Sequence, residues 1–507
     1  MKRAHIAVLI SLLAGSRLLF AEEERAHPRP DQLGSVTFPT SCSASVQGPF
    51  EHALALLHSF AYDASEQAFR TVAAADANCA IAHWGIAMSY FHQLWSPPDA
   101  EDLAKGLSEL DRAQKVANGT ARERAFIEAA SMYFRDSEHR SSSVRAKAYE
   151  QSMSEVAAKF PEDVEAQIFH ALALIATAPP TDRKHANQKR AANILEPLYR
   201  RYPQHPGLAH YLIHAYDSAD LAVQGLAAAR SYAKIAPSAP HALHMPSHIF
   251  TRLGYWNDSI ASNRAAREAA HKAGDIGEEL HAMDYLTYAY LQRGRSADAE
   301  RVIDDLHAMG DLSAAKFKIG YAANAMPVRL AIERQRWDAA AALEPLRHSE
   351  THVAAIVYWA RAIGSARGGH PEAAGVDIAK IDACRDQLTA AGNTYWATQA
   401  DVLGESARAW QLQARGQGNA AVQQLRAAAD QEDLLEKLPV TPGPIVPARE
   451  QLAQLLLALN RPKDALREFQ AALIAAPGRR GALTGGARAA ERAGDAHAAA
   501  ILRAKLR

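Results

Sequence analysis

Ser59 to Phe69 reads SFAYDASEQAF, and Ala82 to Met88 reads AHWGIAM, with Asp76-Ala77-Asn78 between them. The first stretch has an aromatic just after a turn, then Ala and Phe on one helical face. Asp76 to Asn78 supplies the polar turn that ends the helix. In the second stretch, Trp84-Gly85 and Ala87-Met88 set a small residue beside bulky ones, which lets two antiparallel helices approach closely. Outward along the chain the unit returns. Leu253-Gly254-Tyr255-Trp256 leads into Ile260-Ala261-Ser262-Asn263, and Gln292-Arg293-Gly294-Arg295 leads into Ala297-Asp298-Ala299-Glu300. Arg334-Gln335-Arg336-Trp337-Asp338 precedes an Ala run. Asn460-Arg461-Pro462-Lys463-Asp464-Ala465-Leu466 with Phe469 comes before Gly485-Gly486-Ala487 and Ala493-Gly494-Asp495-Ala496. One helix pair cannot bury its apolar face alone, so such units must stack, and their inner helices then line a concave groove.

The spacing 294 − 254 = 40 is longer than the ~34 residues of a standard tetratricopeptide (TPR) unit. The pattern still resembles the TPR consensus. Further stretches (FPEDVEAQIFHALAL, HPGLAHYLIHAYD, APHALHMPSHIFTRLGYWNDSI, EKLPVTPGPIVPARE, GGARAAERAGD) are similar to large exported bacterial TPR-containing proteins whose activity is not settled. That resemblance covers most of residues 50–495. It implies an all-α fold, a TPR-like helical-repeat solenoid of antiparallel helix pairs, and it implies no activity. Related proteins tend to carry His where this chain has Leu438, so any role of that position in them does not carry over.

Composition agrees with helices. Ala and Leu dominate, and β-branched residues are sparse between turns. Lys+Arg and Asp+Glu both number 56, so the chain has no net basic field and nucleic acid is not an expected partner. Met1-Lys2-Arg3, the apolar run from Ile6 to Gly15 and Leu18-Leu19-Phe20-Ala21 read as a secretory signal over 1–21. The mature chain carries no later stretch long enough to span a membrane. Export is therefore expected, to the periplasm if the source is Gram-negative. The organisation expected beyond the signal is an extended tail over 22–48, then repeats over 49–135, 145–310 and 311–437. A Pro/Gly loop follows at 438–447, because Leu438-Pro439-Val440-Thr441-Pro442-Gly443-Pro444 cannot be helix interior, and C-terminal repeats fill 448–507. Asp136 to Ser143 reads as a polar loop. Of three cysteines, Cys42 and Cys79 would bridge tail and first repeat in an oxidising compartment; the alternative is three buried thiols.

Histidines cluster where an ordinary repeat needs none. His210-Tyr211-Leu212-Ile213-His214 and His244-Met245-Pro246-Ser247-His248 are both His-x-x-x-His pairs, which share one helix face and can hold one ion. His241 lies one turn before His244. Moving forward by 40 takes His241 to His281 and His244 to Asp284, further ligands or supports. The candidate metal ligands are therefore His210, His214, His244 and His248, with His241, His281 and Asp284 beside them. Such donors suit zinc, copper, nickel or iron. The competing reading is a metal-free network of groove histidines. Pro246 adds a condition: if the helix begins only there, the 244/248 pair fails. His58, His83 and His92 read as packing or capping residues, and Trp84, Trp95 and Trp256 as core. Phosphate-loop, nucleophile-elbow and Cys-x-x-Cys motifs are absent. Two functions follow: a scaffold binding a protein or peptide in the concave groove, or a metal-binding protein or metal-dependent enzyme with its site in the central repeats.

Overall fold

A computed structural model of the chain describes residues 32–94, 97–310, 312 and 317–506. The signal over 1–21 and Trp95 lie outside the described residues. Within them the regular structure is helical, and consecutive helices pack as antiparallel pairs, so the chain is an all-α TPR-like helical repeat.

Two close approaches define the pair at opposite ends of the chain. Phe69 on the Tyr62–Ala75 helix lies against Gly85 on the Ala80–Tyr90 helix, where a Cβ would sit 2.5 Å from the ring. Phe469 on the Pro462–Ala475 helix meets Gly485 on the Arg480–Ala493 helix in the same way, at 2.3 Å. The spacings match, 85 − 69 = 16 and 485 − 469 = 16. Any larger residue would wedge the pair apart.

The turns repeat as well. Gly254 and Gly294 both take φ 71°, a left-handed conformation that glycine adopts without penalty, and each closes the preceding helix. The following amide then reaches back: Tyr255 N–H donates to the Phe250 carbonyl and Arg295 N–H to that of Tyr290, both at 2.8 Å. Phe60, Gln335 and Asn460 build the same turn at φ 54°, 53° and 59° without glycine. All five turns read from the sequence are thus one motif.

Residues 32–43 run without helix along the first repeats. Phe38 is buried and stacks on Trp84 with ring centroids 5.9 Å apart. Cys42 and Cys79 form a disulfide that pins this segment, and Cys384 is a buried free thiol. The first helix, Ala44–His58, begins inside the expected tail, because Pro49 is accommodated in its interior. The Asp136 to Ser143 stretch is a turn that gives way to helix at Ser142.

The concave side is not open throughout. Residues 433–447, between the Gly418–Glu432 and Ala448–Ala458 helices, cross to the central repeats as a strap. Glu436 accepts from Arg252 at 2.6 Å, and Lys437 donates to Asp217 at 2.9 Å. Tyr285 donates to the carbonyls of Pro439 and Thr441 at 3.2 Å each. Buried Arg329 reaches the Gly443 carbonyl at 3.2 Å and the Thr441 hydroxyl at 3.1 Å. Further on, buried Arg479 pairs with Glu450 and Glu333, both at 2.6 Å. The Pro/Gly segment therefore does more than join two helices: its carbonyls, freed from any helix, satisfy donors on the central repeats.

Candidate metal centre

Four inner helical segments carry the histidines. Pro206–Tyr216 bears His210 and His214. Pro240–His244 and Pro246–Leu253 bear His241, His244 and His248, and Ile276–Gln292 bears His281. Pro246 removes one amide from the ladder, but Met245 keeps helical angles (φ −52°, ψ −36°), so both segments stay in phase. The failure that Pro246 threatened therefore does not occur: His244 and His248 share a face.

All six imidazoles are buried, none more than 6% exposed. They gather as two adjoining groups of three, His210 with His214 and His241, and His244 with His248 and His281. The groups touch, with ring centroids of His214 and His248 5.9 Å apart. The grouping differs from the sequence-based set. The two His-x-x-x-His pairs do not share one ion-sized spot; each takes its third member from another segment. Asp284 departs from the expectation altogether. Its carboxylate accepts from Arg329 Nε at 2.7 Å, and both side chains are buried, so Arg329 takes the oxygens an ion would need.

The outer nitrogens fix the tautomers. His210 Nδ1 donates to the His58 carbonyl at 2.6 Å, and His248 Nδ1 donates to Asp217 at 2.9 Å. His241 Nδ1 lies 3.2 Å from Glu278, and His244 Nδ1 lies 2.6 Å from Asn263 Oδ1. The Asn263 amide nitrogen donates to the Ser259 carbonyl, which leaves its oxygen facing His244. With their protons on Nδ1, these four rings turn bare Nε2 lone pairs inward. Yet His244 Nε2 stands 3.0 Å from His248 Nε2, and His210 Nε2 stands 3.2 Å from His241 Nε2. Facing lone pairs at that range repel unless a proton or a cation lies between them.

Burial argues against the proton. It pushes the His248 imidazolium down to about 4, and burial plus the neighbouring imidazoles hold His210, His214 and His244 well below the ordinary histidine range. Asp217 is the fixed charge behind His248. Burial would raise its carboxyl, but Lys437 and Arg252 outweigh that and hold it below the ordinary range. His214 Nδ1 is buried without a hydrogen-bond partner. Phe60 walls the first group with its ring 4.3 Å from His210, and Tyr285 stands over the second with its hydroxyl 3.4 Å from His248 Nε2.

No family model matches this chain, and no curated protein matches it. Among solved structures it is similar to human IFIT1 as a dimer with m7Gppp-AAAA, at 11% identity over 84% of this chain and 89% of that one, TM-score 0.35. It is similar also to the TPR domain of P58(IPK), at 11% identity over 90% and 99%, TM-score 0.24. A circular tandem repeat protein of novel repeat topology matches at 12% identity over 91% and 94%, TM-score 0.13. Likenesses this loose carry no argument about function. The fold rests on the helix pairs of this chain, and the site on its own atoms.

Sequence reasoning passed over Asp217, Glu278 and Asn263, which orient the rings, and Tyr285. Each lies on the inner face of a helix or at its end, and only the fold shows which ring it meets. It also passed over a third group. His58, read as a packing residue, meets Glu165 and His205 in a separate buried cluster. His83 pairs with Glu109 at 2.7 Å, and His92 stacks near Tyr62. Trp84 and Trp256 are buried as expected.

Proposed function

We propose that this protein binds transition-metal ions, one in the His210/His214/His241 group and one in the His244/His248/His281 group. The observation that carries the reading is two pairs of facing Nε2 atoms, His244 with His248 at 3.0 Å and His210 with His241 at 3.2 Å, on rings whose protons are committed to Nδ1 acceptors. Two nitrogens bound to one ion at ~2.0–2.1 Å stand roughly 2.9–3.4 Å apart, depending on the bond angle. The carbonyl, amide and carboxylate partners of Nδ1 are those that orient metal-bound histidines. Six imidazoles suit copper, zinc, nickel or iron, with Asp217 and Glu278 behind them offsetting part of the added charge. Two ions held by the adjoining groups would lie side by side. That arrangement serves either metal storage or two-metal chemistry, and the strap over Tyr285 would control access. Export is part of the proposal, supported by the signal-like N-terminus and by the Cys42–Cys79 bridge, which an oxidising compartment would preserve.

A second reading, as a protein- or peptide-binding scaffold, has a separate basis. A surface cleft is lined by Arg334, Arg367, Arg480, Arg488 and Arg492, with Glu333 among them. Such a surface suits a partner segment rich in carboxylates.

Elemental analysis of untagged protein tests the first reading. The expected result is bound transition metal, with one equivalent lost in His210→Ala and another in His248→Ala, while circular dichroism keeps its helical signal. Folded wild-type protein that stays metal-free after zinc and copper exposure would overturn it.

A further inference from the structure

Glu165 is a buried carboxylate, 1% exposed, in the first turn of the Val164–Ala176 helix. Asp163 caps that turn by accepting from the Glu165 and Ala166 amides at 3.0 and 3.2 Å, and Arg122 holds Asp163 in turn. Among the described residues, no Lys or Arg pairs with Glu165. Its two oxygens face imidazoles, Oε2 at 2.9 Å from His58 Nε2 and Oε1 at 2.8 Å from His205 Nε2. His58 ends one helix, and His205 precedes another. His58 Nδ1 lies 3.0 Å from the Tyr211 hydroxyl, and His205 Nδ1 is buried without a hydrogen-bond partner. Gly207 leaves room for the His58 ring, since a Cβ there would lie 2.6 Å from its Nδ1.

We propose that His58, Glu165 and His205 form a further metal site, separate from the six-imidazole groups, that takes a divalent transition ion through two imidazoles and one carboxylate. The three ligand atoms lie within 4.8 Å of one another, come from three different stretches of chain and are all buried. A buried carboxylate needs a compensating positive charge; Arg122 in the same cleft is taken by Asp163, and a divalent ion held between Glu165 and the two imidazoles supplies one. Two imidazoles and one carboxylate fill three positions of a four- to six-coordinate ion, which leaves room for water or an incoming ligand.

An opening exists for that ligand. Glu165 and His205 both line a largely carbon-walled surface cleft of about 680 Å³, with Pro39, Phe160, Tyr202 and Pro203 among its walls. The Ser35 amide, from the segment held by the Cys42–Cys79 bridge, donates to the Gln204 carbonyl at the cleft rim at 2.9 Å. An ion here is thus reached from the surface, whereas the six-imidazole groups lie behind the strap. The ligand class that fits is a small molecule with one oxygen donor for the ion and an apolar body for the cleft.

Zinc titration of the chelator-stripped full chain, comparing wild type with Glu165→Gln and His205→Gln, tests this. The expected result is one zinc equivalent fewer in each variant, with the helical circular dichroism signal retained. In a His210→Ala/His248→Ala background the equivalent assigned to Glu165 should persist, so the two proposals fail separately. Folded Glu165→Gln and His205→Gln proteins that take up as much zinc as wild type would overturn the site and leave a hydrogen-bonded His-Glu-His cluster. Should Glu165→Gln not fold, His205→Gln alone decides.

Discussion

The inner helix Ile276–Gln292 and the inner helix Thr351–Arg367 have the same length and the same place in a helix pair, yet they bury different chemistry. The first turns His281, Asp284, Tyr285 and Tyr288 inward; the second turns Val353, Ile356, Val357, Trp359 and Ile363 inward. The later helix, which buries one imidazole (His352) among mainly apolar side chains, shows that stacking rests chiefly on apolar residues of the right size. Burying imidazoles and charges in the earlier one costs desolvation that packing alone does not need. Buried charge is not confined to the central repeats, since Arg479 and Glu450 are buried near the C-terminus; what marks the site is six buried imidazoles gathered in one place.

The sharpest way to break the contrast is to strand a buried charge. Arg329→Ala would leave Asp284 without its partner and remove donors from the strap, costing about 3–5 kcal/mol in urea unfolding. A loss near zero would show that the central charges are solvated and the contrast is false. A smaller effect with a diagnostic sign comes from His214→Leu. Because His214 Nδ1 is buried without a partner, metal-free protein should gain on the order of 1 kcal/mol, while protein with added metal should lose the stabilisation conferred by one ion. Loss in both states would make the ring a structural one.

A further effect, at the strap's root, depends on pH. Burial pushes the Glu432 carboxyl up to about 7, while its oxygen accepts from the Ala448 amide at 2.7 Å. Below the unfolded value near 4.5 both states are protonated and nothing is lost. As pH rises towards 7 the unfolded chain releases its proton first, so stability falls. Glu432→Gln should match wild type at pH 4.5 and exceed it in Tm at pH 8. Equal Tm values at pH 8 would contradict the shift.

Much of this was legible in the sequence. The turns at Phe60, Gly254, Gly294, Gln335 and Asn460 were, because the same aromatic, glycine and Ala pattern builds the same local geometry each time. The histidine face was legible too, since i and i+4 on a helix are neighbours whatever surrounds them. The partner of each pair was not. An offset of 40 residues places His281 and Asp284 along their helix but does not say that His281 joins His244 and His248, or that Arg329, from the next inner helix, claims Asp284. The strap was hidden for a similar reason: 220 residues separate Lys437 from Asp217, and no period connects them. His58 and Glu165, 107 residues apart, gave no shared spacing at all.

The central claim is that the facing imidazole nitrogens share ions. Crystals of untagged protein with added zinc or copper, measured at the metal's absorption edge, test it most directly. The account predicts one anomalous peak among the Nε2 atoms of His210, His214 and His241, and a second within the His244, His248 and His281 group. Well-ordered imidazoles with no peak between them would contradict it.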